Sequence, residues 1–416
     1  MRRPTIHIIG AGFAGLSAAW RLSQAPGLEI VLHEGAAQAG GRRRSIFDEA
    51  TSLTVDGGAE FVLTSWRAAL AFIEAIGARG QWREAGSSGI AFVDMASGER
   101  WTTRPGGALP LWIFDARRRP PRTRWLDFWP AARLLRARPG ALLRDYAPSV
   151  GPAGERLWRP FALAALNTDL DRASARLAGA ALRETQFGAG RPLAPIHGLT
   201  RDFVEPALKA LRRRGVAIRL ERRLAALGLG SDRLAALEFE HDRIDLEPGD
   251  AVILATPPRV AAALTPGLSA PTEFNDAITA HFAVSPPPSA PPVLGVVNGA
   301  FHWMIAAENR ISVAVKNAAS LIDAPREKIA ADLWRDIAAL TGLADAAPAW
   351  RVIRQRRATF AATPEQDALR PSLETRWRNL FLAGSYVQNG APDSLEGSVR
   401  SGAAAADRAR AWLEAR

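Results

Sequence analysis

The chain contains no cysteine, which excludes disulfides, thiolate chemistry and any cofactor tethered through cysteine sulfur. It has two tyrosines, Tyr146 and Tyr386, and its lysines are Lys209, Lys316 and Lys328, although Lys and Arg together number 53. The net charge of +11 is therefore carried almost wholly by guanidinium groups. Such a surface favours anionic partners, lipid among them. Nucleic acid is not expected, because no recognised binding motif accompanies the charge. No apolar run approaches the length of a membrane span, and the apolar start is broken by glycine within a few residues, so neither a spanning helix nor a signal peptide is expected. The expectation is a cytoplasmic protein, soluble or peripheral on the inner membrane face. No metal site is expected. What remains is an ordinary globular composition, 48% hydrophobic and 23% charged, in 416 residues, long enough for two domains.

The first forty residues organise the chain. Thr5-Ile6-His7-Ile8-Ile9 is β-branched and apolar and reads as a strand. Gly10-Ala11-Gly12-Phe13-Ala14-Gly15 follows, then the helical Leu16 to Leu22, then a second strand from Glu29 to His33 that ends at Glu34. This is a β-α-β unit with G-x-G-x-x-G at its turn and an acid at the end of its second strand. Gly10 allows the tight turn, and Gly12 lets backbone approach a pyrophosphate in the positive field of the helix N-terminus. Gly15 lets helix and strand pack closely, with Ala14 in the same loop. Glu34 would accept hydrogen bonds from ribose hydroxyls. A turn without a ligand would account for the glycines alone, but strand, helix, strand and acid in register favour a dinucleotide.

Gly40-Gly41-Arg42 selects among dinucleotides. A nicotinamide site does not need this second glycine pair. Here it would bring the chain back over the pyrophosphate, with Arg42 as a charge-assisted donor. The arrangement resembles the start of FAD enzymes of the amine oxidase and phytoene desaturase superfamily. The resemblance implies non-covalent FAD in an α/β, glutathione-reductase-like Rossmann-type domain, joined to a discontinuous α+β substrate domain. Arg43 and Arg44 read as a solvated basic turn.

The remaining segments give boundaries. Residues 1–77, 197–262 and 370–416 are assigned to the FAD-binding domain, and 78–196 and 263–369 to the substrate domain. Gly57, Gly58 and Ala59 suit a close backbone pass beside the flavin, or an ordinary turn. Ser65 to Ile76 and Gly198 to Arg214 read as helices. Ala251 to Ala255 is continuously apolar, as a buried parallel strand should be, and places Ala255 at the ligand-binding edge. Leu224 is also assigned to the cofactor. Leu380 to Ala383 reads as a strand ending at Gly384 and Ser385. Asp393-Ser394-Leu395-Glu396 has capping-box spacing before a last helix whose N-terminus would face the flavin pyrimidine edge. Gly397 and Gly402 would allow close helix packing. Between 112 and 138, Trp125, Phe128, Trp129, Ala132 and Leu135 recur at helical spacing among arginines, with Pro130 and Pro139 limiting helix length. That is the composition of an interfacial membrane helix, and equally of a core-facing helix with a basic solvated face.

Three segments resemble the hydroxysqualene dehydroxylase family, squalene-associated FAD enzymes of the hopanoid locus. They are Leu157-Trp158-Arg159-Pro160 with Ala165-Leu166-Asn167-Thr168 and Ala173-Ser174, then Arg357 to Phe360 with Arg370-Pro371 and Asn379 to Gly384, and then Leu395 to Gly402. The resemblance spans nearly the whole chain, with three departures. The family's Asp after Leu-Ala-Gly is Ser385 here. Its Pro-Ala-Thr before Leu/Ile-Glu-Gly is Pro392-Asp393-Ser394. Its Gln-His after Asp-Asn-Gly is Ala59-Glu60.

The resemblance implies reductive removal of the hydroxyl of hydroxysqualene, a long apolar isoprenoid, with hydride from reduced FAD. Another isoprenoid desaturase or oxidase, an amine oxidase and a prenyl-binding protein without FAD are the alternatives; the intact dinucleotide motif argues against the last. The reaction needs a proton for the departing hydroxyl. Glu60 is the first candidate, since it follows Gly57-Gly58 and would have a raised pKa if buried. His302, beside Trp303, is the second. Asp393 is the third, with helix capping as its alternative role.

Overall fold

The apolar runs of the N-terminal unit become the centre of a five-stranded parallel sheet in the computed structural model, which describes residues 2–58, 61–84, 89–105, 110–185 and 190–415. Its strands are β1 (Thr5–Ile9), β2 (Glu29–His33), β3 (Ala217–Arg219), β4 (Ala251–Leu254) and β5 (Leu380–Leu382). They lie in the order β3-β2-β1-β4-β5. In register, His7 of β1 lies between Val31 and Val252, and β5 pairs with β4 through Ile253 and Phe381. Three distant stretches of chain thus build one sheet.

Both faces of this sheet are covered, which is why its strands read as continuous apolar runs. Five helices matter below: α1 (Phe13–Leu22), α2 (Arg67–Ala75), α3 (Ala175–Glu184), α4 (Arg326–Thr341) and α5 (Leu395–Glu414). Ile6, Ile8, Leu32 and Ile253 pack into the layer holding α1, α2 and α5. Ile9, Val252, Leu254 and Leu382 face the opposite way, onto α3 and an antiparallel meander of strands Leu224–Leu229, Leu234–Phe239 and Arg243–Asp245. Helix α5 lies against α1 at backbone distance, because a Cβ at Gly402 would stand 2.0 Å from the carbonyl oxygen of Ala14. Gly397 serves a local purpose instead, since its Cβ would meet the carbonyl of Pro392.

A seven-stranded sheet forms the second layer system. Its order is Trp350–Phe360, Phe274–Phe282, Arg310–Lys316, Trp303–Ala307, Val293–Val297, Ile90–Asp94 and Arg100–Thr103. One face buries Ile278, Phe282, Val313 and Met304 against Ile329, Leu333, Trp334 and Ile337 of α4. The other presents Trp303, Val293 and Ala314 to Phe61 and Phe92. A hairpin of Ser45–Asp48 and Leu53–Asp56 touches this sheet, because His281 Nε2 lies 3.0 Å from the carbonyl oxygen of Asp56.

One expected helix differs. The segment from Gly198 to Arg214 contains a wide turn at Thr200–Val204 before a regular helix at Glu205–Arg213. Pro206 has no N–H for the carbonyl of Asp202, and that carbonyl instead accepts from Trp82 Nε1 at 3.1 Å. The aromatic–arginine segment has the short helical pieces that Pro130 and Pro139 allow. It folds as short 3-10 turns at Leu111–Phe114 and Trp125–Phe128 and a six-residue helix at Trp129–Leu134, consistent with its prolines.

Candidate functional site

The dinucleotide turn has the geometry its glycines require. Gly10 sits at φ +107°, and a Cβ there would stand 2.6 Å from the carbonyl oxygen of Ala255, so no other residue fits beside β4. At Gly15 a Cβ would collide with the carbonyl oxygen of Gly10. Beside Gly12, in contrast, the space is open. Gly12 is also the N-cap of α1, whose first turn has neither a capping side chain nor an acid, leaving its positive end for an anion. Gly40 N donates to Ala11 O at 2.9 Å, which folds the Gly40-Gly41 turn over the first, with Gly41 against Gly12 Cα. Glu34 accepts from Ala11 N at 2.8 Å and Ala36 N at 3.0 Å, fixing its carboxylate at the end of β2. Leu224 starts the strand after Arg222, whose N–H donates to Glu34 O. Thr256, next to Ala255, buries a hydroxyl with no partner among the described residues. Open space at Gly12, an uncapped helix end, a fixed acid and an orphan hydroxyl together fit an FAD adenosine diphosphate.

Arg42 reaches away from this turn. Its Nη1 donates to Ala358 O at 2.6 Å, and its Nη2 lies 3.8 Å from Asp393 Oδ1. Asp393 also accepts from Ser385 Oγ and from Phe360 N. Its suggested capping role belongs to its neighbour: Ser394 is the N-cap of α5 and accepts from Gly397 N at 2.9 Å. Glu396 completes no box either, because its carboxylate takes the Ala68 and Ala69 N–H groups in the first turn of α2. Gly384 N donates to Ser401 Oγ at 2.8 Å, and Leu395 is buried beneath the helix start. Behind the 385–389 loop, the buried guanidinium of Arg370 donates to the carbonyls of Ser385, Tyr386 and Val387. The Arg370-Pro371 motif is thus a brace for the loop carrying Ser385.

The Leu166-Asn167-Thr168 motif is also a buried joint. Asn167 O and Thr168 Oγ1 both accept from Asn275 Nδ2, and Asn167 Nδ2 donates to Thr359 Oγ1 at 3.0 Å. It ties the helical layer to the two strands that run towards Asp393.

Gly57 and Gly58 follow the hairpin. Gly58 and Asp56 line a cavity of about 380 Å³ together with His281, Ile305, Arg310 and the 286–288 prolines. A Cβ at Gly57 would stand 2.8 Å from Arg42 O, so the close pass the structure shows here is against the Arg42 backbone. Ala59 and Glu60 lie outside the described residues. Trp303 meets Phe61 and Phe92 edge-on at 5.7 and 5.8 Å, forming an aromatic wall. His302 is turned to other work: its Nδ1 accepts from Lys316 N at 3.1 Å, and burial lowers its pKa to about 4. It is a neutral imidazole whose Nδ1 is committed to the sheet backbone.

Two features escaped the sequence reading. One is Glu184, the last residue of α3. Its Oε1 lies 3.2 Å from Arg400 Nη1 and its Oε2 3.4 Å from Ser394 Oγ. An acid closing an alanine-rich apolar helix was the available signal. The other is how far the aromatic segment projects. Leu111, Phe114, Trp125, Leu126 and Trp129 are 64%, 59%, 45%, 49% and 63% exposed. Among the described residues, no helix is long and apolar enough to cross a membrane.

The model of the flavin containing amine oxidoreductase family matches residues 13–410. Hydroxysqualene dehydroxylase of Sinorhizobium fredii is 46% identical over 408 residues, covering 97% of this chain and 98% of that protein. The protein of the same name from Rhodopseudomonas palustris is 45% identical and covered to 97% on both sides. That of Zymomonas mobilis is 36% identical, over 97% of this chain and 98% of its own. Among solved structures, wild-type putrescine oxidase bound to putrescine superimposes with a TM-score of 0.71 at 16% identity, over 98% of this chain and 100% of that one. An oxidoreductase from Methanosarcina mazei gives 0.74 at 15% identity, over 96% and 98%. At such identities these two structures establish the fold.

Proposed function

We propose, for a chain that belongs to the flavin-containing amine oxidoreductase family and to its hydroxysqualene dehydroxylase branch, that it removes the hydroxyl of hydroxysqualene to give squalene. The protein is an FAD-dependent oxidoreductase. The observation that carries the reading is the contact between Arg42, at the end of the second glycine pair, and Asp393, at the start of α5. It joins the dinucleotide turn to the helix end expected at the flavin, in a chain related end to end to enzymes of that name.

Gly10, Gly12, Gly15, Gly41 and Glu34 would hold the adenosine diphosphate part of FAD, with Ala14, Leu224 and Ala255 beside it. Arg42, Gly57, Gly58, Gly384, Ser385, Ser394 and Leu395 would line the flavin part. Reduced FAD supplies a hydride. The chain's own contribution is to hold a long apolar substrate against the ring, exclude water and deliver one proton to the departing hydroxyl. The aromatic wall of Phe61, Phe92 and Trp303 suits the apolar part of that task. We assign residues 1–77, 197–262 and 370–416 to the cofactor and the rest to the substrate.

The substrate partitions into lipid, and the exposed aromatic surface at 111–129, flanked by arginines, suits shallow contact with an anionic bilayer. The reading is tested by anaerobic incubation of dithionite-reduced enzyme with hydroxysqualene. Squalene should form, and oxidised enzyme should form none. Equal yields from both forms would contradict a reductive reaction.

A further inference from the structure

Glu184 is a buried acid at the amino end of the flavin helix. Its side chain is 8% exposed. From α5 and its N-cap it faces Arg400 and Ser394 directly and Glu396 at longer range, and from the segment before β5 the buried Arg370. Burial raises its pKa to about 8; Glu396 adds to this, while Arg400, Ser394 and Arg370 oppose it. At neutral pH the group therefore holds its proton beside the residues assigned to the flavin edge. A purely structural anchor for Ser394 and Arg400 needs no ionisable group there, since a glutamine amide could bond both neighbours.

We propose that Glu184 is the catalytic acid that protonates the leaving hydroxyl of the substrate, with Arg400 steadying the carboxylate that results. The proposal rests on the dehydroxylase reading above. The carboxyl proton passes to the hydroxyl oxygen, the C–O bond breaks with its electron pair remaining on oxygen, and water leaves. The carbon receives the hydride that reduced flavin supplies, so the substrate is reduced by two electrons and the flavin oxidised by two. Glu184 is left as a carboxylate paired with Arg400 and regains its proton from solvent. Arg400 favours the ionised form throughout, so it moderates the raised pKa before transfer and stabilises the carboxylate afterwards.

Single-turnover mixing of reduced enzyme with hydroxysqualene tests the proposal in wild type, Glu184→Gln and Glu184→Asp. Glu184→Gln should slow flavin reoxidation by about 100-fold or more while retaining FAD and substrate affinity within about twofold. The wild-type rate should fall tenfold per unit above about pH 8, and this dependence should vanish in Glu184→Gln. Infrared spectra should show a protonated carboxyl band in the wild type that is absent from Glu184→Gln. If that variant loses FAD, Glu184→Asp carries the test, with a lowered rate that still falls as pH rises. Reoxidation of Glu184→Gln at the wild-type rate, or a wild-type rate independent of pH through this range, overturns the proposal. Wild-type enzyme that binds hydroxysqualene without reoxidising would instead remove the dehydroxylase reading, and this role with it.

Discussion

Ser385 donates a hydrogen bond from its Oγ to Asp393 Oδ1. They belong to two of the three departures from the pattern that the family resemblance implies, and the structure makes them neighbours. The family's acid after the Leu-Ala-Gly strand is missing at 385, and an acid absent from the family pattern appears at 393. Arg42 Nη2 lies 3.8 Å from Asp393 Oδ1.

This relationship predicts a rescue. Asp393→Ala should weaken FAD binding by about 1–3 kcal/mol, the cost of removing a charged hydrogen-bond partner. Adding Ser385→Asp to that variant should recover most of the loss. Ser385→Asp alone sets two carboxylates against each other and should weaken binding. Titration of apoprotein with FAD by fluorescence measures all three. No recovery in the double variant would separate the two departures.

Glu34→Ala should also weaken FAD binding by about 1–3 kcal/mol, because the ribose hydroxyls lose a charged acceptor. The same titration applies. Unchanged affinity would remove Glu34 from the adenosine site.

Acid should destabilise the fold through its buried histidines. His7 and His33 lie 3.1 Å apart on β1 and β2, and burial lowers their pKa values to about 4 and about 3; His281 and His302 are each lowered to about 4, again mainly by burial. The unfolded chain takes up these protons first, near the ordinary value of 6.5. Their stabilisation is therefore complete above pH 6.5 and is lost as pH falls through the window down to about 4, and for His33 to about 3. A histidine shifted this far contributes roughly 3 kcal/mol, and the coupled His7–His33 pair less than twice that. Thermal denaturation should show Tm falling steeply across this window, and less steeply in His281→Gln. A Tm flat across it would contradict the burial of these rings in the neutral state.

The exposed aromatic surface predicts vesicle binding. Sedimentation with anionic vesicles should retain the protein at low salt and release it as salt rises. Replacing Phe114 and Trp129 with serine should weaken retention at every salt concentration, because the apolar share of contact is removed. Equal retention of this variant and the wild type would leave a purely electrostatic contact.

Much of the cofactor half was legible because its chemistry is local. Gly10 to Glu34 carries its own register, and β4 and β5 are apolar throughout because both faces are covered. The strand Trp350–Phe360 hid behind its arginines: as an edge strand it turns Arg351 to Asp48 and Arg356 to Asp323, so it has no apolar alternation to read. In the aromatic segment the helical spacing was real, and Pro130 stands in the first turn of its short helix, as its sequence implied. Glu184 and the contacts of Asp393 were obscure for another reason. Their partners are supplied by the fold, with Ser394 standing 210 positions from Glu184 and Phe360 33 positions before Asp393. No local pattern specifies such contacts.

The central claim is reductive dehydroxylation driven by the bound flavin. Its most direct test is stoichiometric: enzyme reduced without excess reductant is mixed anaerobically with hydroxysqualene, and flavin absorbance and product are followed together. Oxidised flavin and squalene should appear at the same rate, one squalene for each flavin. Flavin that stays reduced while the substrate is bound, or squalene formed without flavin oxidation, would contradict it.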